Sequence, residues 1–249
     1  MTADTPHTIG RNVWSAIGLA VLLVFIVSAG SAAVVMTGAG DTAGHLILAG
    51  CYAIAIAAAW LIAWRMRLTS QELGFTTPRR TAGLPVLWFI PLVVIEAVGL
   101  LPGFTTMRTA SVASLVLLTV LVGVGEELYF RGLIVTVLRR INVPVAVWVS
   151  AGIFAVGHLP NALQCSGVYV LLQFVFAFVF GLVTAALVIR TGSLWPLIAW
   201  HACHDFIGYA TGNTVTGIAG VAVVIQIVLM AAYAAILLHS VLKKVSTDA

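Results

Sequence analysis

Charge is scarce in this chain. Lys and Arg number 12 and Asp and Glu 8 among 249 residues, so charged side chains make up 8%, against about 25% in an ordinary soluble domain. That shortage excludes a typical soluble enzyme. Cysteine is scarce too, at Cys51, Cys165 and Cys203. Two lie in apolar runs and one in a short loop, and neither CxxC nor HExxH occurs. Those absences exclude a disulfide framework and the commonest zinc-binding spacings. Long polar stretches are also missing. The longest runs only from Arg65 to Arg80, which leaves no room for a separate soluble domain. The basic residues behind the net charge of +4 sit at the ends of apolar runs rather than in a patch, so nucleic acid is not implied as a partner.

What is abundant is apolar surface. Hydrophobic residues make up 61% of the chain. They fall into segments at about Val13–Met36, Ala43–Trp64, Leu84–Leu101, Ala110–Leu138, Val143–His158, Val168–Ile189, Leu194–Tyr209 and Gly217–Leu242. Most approach the length needed to cross about 30 Å at about 1.5 Å per residue. The pattern predicts an all-α polytopic membrane protein with about eight transmembrane helices, and makes the lipid bilayer its first partner. The first run is too long for a signal-peptide core and reads as a span. The fifth and seventh are short and carry polar residues, the pattern of helices that line a cavity. Residues 1–110 read as N-terminal spans with a polar loop, 111–210 as a core of further spans, and 211–249 as a last span and tail, all in one membrane domain.

The basic residues orient this arrangement. With the N-terminus inside, Arg11, the arginines at 65, 67, 79 and 80, Arg139, Arg140, Arg190, Lys243 and Lys244 fall on the cytoplasmic side, and only Arg108 falls outside. The positive-inside rule therefore predicts two cytoplasmic termini. Trp14, Trp64, Trp148 and Trp195 then share the cytoplasmic interface, as in an aromatic belt. The composition is bacterial in type and points to the plasma membrane.

One stretch resists this apolar background: Val122-Gly123-Val124-Gly125-Glu126-Glu127-Leu128-Tyr129-Phe130-Arg131-Gly132. A charge at the centre of a spanning helix costs about 2.5–3.5 kcal/mol on insertion scales, so three in six residues need an offset. Glu127 and Arg131 are four apart in the favourable order and can pair. Glu126 lies about 100° round the helix and faces something else, which makes it a candidate general base. Further along, His158 ends the fifth segment, and His201 and Asp205 share a face of the seventh. Antiparallel neighbours can bring Glu126, His158, His201 and Asp205 to one depth. A carboxylate, two imidazoles and a fourth polar group can activate a water and stabilise an oxyanion. The same four residues also offer a ligand set for a divalent metal such as zinc, with an open position. The absence of the usual zinc spacings argues against a tightly bound structural metal. Glu96 has no evident partner in sequence, and His204 reads as packing or a backbone hydrogen bond.

Three of these patterns occur together in one family. Glu126-Glu127-x-x-x-Arg131 resembles the first motif of the type II CAAX prenyl endopeptidase and bacteriocin-processing family of intramembrane proteases, also called CPBP or Abi. Phe154-x-x-x-His158 is similar to its second motif, and His201-x-x-x-Asp205 to its third, which ends in Asn or Asp. The flanking Tyr129-Phe130-Arg131-Gly132 and Arg190-Thr191-Gly192-Ser193-Leu194-Trp195-Pro196 look like family members as well. The resemblance covers about Leu118–Phe206. It implies an intramembrane endopeptidase that hydrolyses a peptide bond of a membrane-associated peptide or protein, prenylated or secreted, with Glu126 as the base on the attacking water. It implies that His158 helps hold that water and that His201 and Asp205 lie near the scissile carbonyl, as oxyanion donors or metalloprotease-like ligands. Glu127 and Arg131 would support them from behind. Asp205 departs from the Asn form, because an ionised carboxylate only accepts hydrogen bonds. Two rival readings are a catalytically silent scaffold or immunity protein on the peptidase fold, and a proton-coupled carrier, since buried Glu, His and Arg also build proton relays.

Overall fold

The computed structural model describes residues 6–79, 85–163 and 165–247. Its elements are α1 (Pro6–Thr37), α2 (Asp41–Arg65), α3 (Ile90–Val98), α4 (Thr109–Glu127), α5 (Val135–Leu138), α6 (Val143–Val156), α7 (Gly167–Thr191), α8 (Trp195–Ala210) and α9 (Gly217–Thr247). A π-helical segment, Leu128–Ile134, joins α4 to α5 without a break. Short 3₁₀ turns, Pro85–Trp88 and Leu159–Leu163, precede α3 and follow α6. The described residues therefore form eight helical segments and no strand, the all-α architecture expected of the sequence. Six of the segments are long and apolar enough to cross a membrane. The other two, around α3 and α8, are shorter; the expected start of the third at Leu84 lies outside the described residues.

Local chemistry sets the ends of these helices. Asn142 caps α6, its Oδ1 accepting from Val145 N at 2.7 Å, which satisfies one orphan donor of the first turn. Ser166 caps α7 in the same way through Tyr169 N. The far end of α7 stops on Gly192 at φ +71°. That left-handed backbone is what favours glycine there.

The bundle is organised round α4, which packs between α2 and α8, while α7 packs between α6 and α9. Small residues make these approaches close, as in membrane helix pairs generally. Ala55, Ala59 and Ala63 bury one face of α2. A Cβ on Gly123 would lie 2.8 Å from Ile198 O and 3.2 Å from Ala202 N of α8, and one on Gly125 would lie 2.9 Å from the Tyr52 ring of α2. Gly181 meets the backbone of Ala151 in the same way, at 2.8 Å from its Cα. The outward faces carry exposed Phe25, Leu61, Val93 and Val221, which suit contact with lipid chains.

Gly123 supplies a test of this packing. Gly123→Val drives a branched side chain into the α8 backbone, which cannot yield as a side-chain tip would. The expected cost is about 1–3 kcal/mol, the usual size of overpacking, read as a lower unfolding temperature in detergent. Unchanged stability would show that α4 and α8 are not in close contact.

Candidate active site

The two glycines ahead of the acidic pair explain how a site forms at that point. Gly123 lets α8 approach from one side and Gly125 lets Tyr52 approach from another. Glu126 and Glu127, on successive helical positions, then face different partners. Tyr52 donates its hydroxyl to Glu126 Oε1 at 2.6 Å. Glu126 Oε2 lies 3.7 Å from His201 Nε2, and the same ring nitrogen lies 3.7 Å from Asp205 Oδ2. Both separations exceed a hydrogen bond, which leaves space between the three groups.

Glu127 is fully buried and turns away from that space. Its Oε1 lies 2.9 Å from His201 Nδ1 and 3.3 Å from an Arg131 terminal nitrogen. An ionised carboxylate only accepts, so Nδ1 of His201 carries a proton and Nε2 is the nitrogen turned towards Glu126 and Asp205. Arg131 donates from Nε to Thr184 Oγ1 at 2.7 Å. Its guanidinium carbon lies 4.3 Å from the Phe154 ring centre and 5.7 Å from those of Phe130 and Phe180. Three aromatic faces thus surround the cation and contribute cation–π attraction where water is absent. Arg131 sits inside the π-helical segment, where one turn holds an extra residue. The sequence reads as unbroken α-helix here, and π-turns of this kind recur at functional sites.

His158 approaches from the end of α6. Its Nδ1 is 2.8 Å from Phe154 O. A carbonyl only accepts, so this nitrogen is the donor and the neutral ring keeps an acceptor at Nε2. The Phe154 ring packs edge-on against both His158 and His201, at 4.8 and 6.2 Å between centres. The spacing Phe154-x-x-x-His158 thereby has a local meaning: the backbone of the first residue fixes the tautomer of the second, and its ring lies over Arg131.

Glu126, His158, His201 and Asp205 all line one cavity of about 510 Å³. Phe130, Phe154 and Phe180 line it as well. Among the described residues, no three His, Cys, Asp or Glu side chains form a group that could hold a metal ion.

Two further pairs were not legible. Tyr52 gives no signal in sequence beyond being a hydroxyl in an apolar span. Glu96 accepts from Trp200 Nε1 at 3.1 Å and lies 3.3 Å from His204 Nδ1. His204 in turn stacks on Phe176 at 4.5 Å with 14° between planes. Glu96 therefore has partners on α8, and both residues line the same cavity. The pairing is between helices far apart in sequence, which spacing alone does not reveal.

Residues 107–207 match the family model described as type II CAAX prenyl endopeptidase Rce1-like. No curated protein matches the chain. The matched stretch contains all three motifs, so the recognition drawn from them stands, and the family implies intramembrane endopeptidase activity in general terms.

Proposed function

We propose, with the family match over the motif-bearing helices as premise, that the chain hydrolyses a peptide bond of a membrane-associated peptide or protein using a water activated by Glu126. The observation that carries this reading is the gap between Glu126 Oε2, His201 Nε2 and Asp205 Oδ2, with 3.7 Å on either side of the imidazole nitrogen. A reacting group can enter that gap and reach base and imidazole together.

In this mechanism Glu126 removes a proton from the water, and the oxygen adds to the scissile carbonyl carbon. His158 Nε2 accepts the water's other hydrogen and so orients it. His201, as imidazolium between Glu127 and the cavity, gives its Nε2 proton as a hydrogen bond to the oxyanion. The tetrahedral intermediate collapses, the C–N bond breaks, and the proton held by Glu126 passes to the leaving amine. Ionised Asp205 accepts a hydrogen bond from the scissile N–H. Glu127 fixes the tautomer and plane of His201, and Arg131 holds Glu127.

We also place both termini on the cytoplasmic side of a bacterial-type plasma membrane, on the distribution of Lys and Arg. A proton carrier would need ionisable groups continued to both ends of the bundle. The cavity's lining instead belongs to one half of the bundle.

The test compares membranes containing the wild type with membranes containing Glu126→Gln. Uncleaved forms of one or a few membrane-associated polypeptides are expected to accumulate with the variant. Identical terminal peptides in both samples would overturn the peptidase reading and leave the silent-scaffold alternative.

A further inference from the structure

The two ends of the bundle differ. At one end gather Arg65, Arg139, Arg140 and Arg190, at or just past the ends of α2, α5 and α7, with Arg67 and Arg79 in the loop after α2. The loop after α2 is fastened across this end. Leu194 N donates to Gly74 O at 2.8 Å, Arg79 N to Thr191 O at 2.8 Å, and Thr76 Oγ1 to Gly192 O at 3.0 Å. Trp14, Trp64, Trp148 and Trp195 are exposed at or near the same end. At the opposite end lie the α1–α2 turn, the α3–α4 loop, the segment after α6 and the α8–α9 loop. Thr105 N donates to Ala210 O at 2.8 Å and Tyr169 OH to Asn213 Oδ1 at 2.9 Å, which ties these loops together. Among the described residues, Arg108 is the one Lys or Arg there.

The cavity belongs to this second, arginine-poor end. Its rim includes Val35, Pro102, Cys165, Asn213 and Thr214, and none of its lining residues comes from the fastened end. The lining also holds Glu96, Glu126 and Asp205 but no Lys or Arg. A free terminal carboxylate entering near the scissile bond would meet acidic groups, with only histidines as cations.

We propose that the cavity opens to the extracytoplasmic side, and that its substrate is an exported peptide or an extracytoplasmic segment of a membrane protein, cut internally rather than recognised by its terminal carboxylate. The positive-inside rule puts the arginine-rich end in the cytoplasm, and the cavity lies at the other end. The substrate class rests on the peptidase reading above; the side of the opening does not. Neutral or basic residues round the cleaved bond suit a lining of three carboxylates better than acidic ones.

The test reads the side first, without activity. Cys165 is exposed at the rim. A Cys51→Ala, Cys203→Ala variant keeps Cys165 alone, and is treated in intact bacterial cells with a membrane-impermeant maleimide. Thr214→Cys in a cysteine-free background gives a second rim reporter, and Arg140→Cys reports the other end. Both rim positions are expected to be labelled in intact cells, and Arg140→Cys only after permeabilisation. Rim positions labelled only after permeabilisation would overturn the proposal. Terminal peptide sequencing then locates the cleavages lost in Glu126→Gln. Extracytoplasmic cleavage sites are expected, and sites at cytoplasmic carboxyl-terminal tripeptides would overturn the substrate class. An absence of any Glu126-dependent cleavage would instead sink the peptidase reading, with the labelling still deciding the side.

Discussion

Glu126→Gln is expected to leave a folded protein whose turnover is lower by at least about 10²–10⁴-fold, the usual contribution of a general base. The fold has little reason to change. Glutamine keeps the shape of the side chain, and its carbonyl oxygen can still accept the Tyr52 hydroxyl that now reaches Glu126 Oε1 at 2.6 Å. What is lost is the proton acceptor facing His201. Glu127→Gln is the matched control. Glu127 is fully buried and lies against both Arg131 and His201, so neutralising it leaves the arginine without its carboxylate. The expected result is a fall in stability with measurable turnover remaining, because the amide oxygen still accepts from His201 Nδ1. The measurement is turnover of a cleaved polypeptide identified by the membrane comparison, alongside thermal unfolding of each purified variant. Clear turnover by folded Glu126→Gln with Glu127→Gln inactive would reverse the two roles.

The contrast between these two residues was partly legible in sequence. Helical spacing alone pairs Glu127 with Arg131 and turns Glu126 elsewhere, and the structure keeps that division, with 3.3 Å between Glu127 and Arg131. The apolar runs likewise predict the helical segments, because a membrane span leaves a long hydrophobic signal that no soluble element imitates. The partners that helices supply to one another were hidden. His201 reaches Glu127 as well as Glu126, and Tyr52 reaches Glu126, through contacts between helices about 74 positions apart in sequence. The glycines that permit those contacts were visible only as part of a motif. Their purpose follows from what a Cβ would strike: the α8 backbone at Gly123, the Tyr52 ring at Gly125. The π-helical turn was also hidden, since the spacing of Glu127 and Arg131 fits an ordinary α-helix and nothing in Leu128 to Ile134 marks the extra residue. Glu96 and His204 show the limit most plainly. In sequence Glu96 has no evident partner and His204 reads as packing or a backbone hydrogen bond, and the fold places them 3.3 Å apart.

Arg131→Ala is expected to damage assembly more than chemistry. The guanidinium is buried and does not line the cavity. Its surroundings are Glu127, the Thr184 hydroxyl and the rings of Phe130, Phe154 and Phe180. Removing it strands the Glu127 charge and opens a void between the rings. Loss of one partner of a buried pair costs about 3–5 kcal/mol, and the void adds to that. The protein is therefore expected at lower levels in membranes and with a lower unfolding temperature in detergent. Arg131→Lys keeps the charge but loses the flat group that stacks on Phe154 and donates sideways to Thr184, so an intermediate loss is expected. A second change separates charge from packing. Combining Arg131→Met with Glu127→Gln removes both charges while filling the space, and is expected to recover part of the stability lost by either residue's single substitution. If Arg131→Ala unfolds at the wild-type temperature and is nonetheless inactive, the arginine acts in the reaction itself and the supporting role assigned to it is wrong.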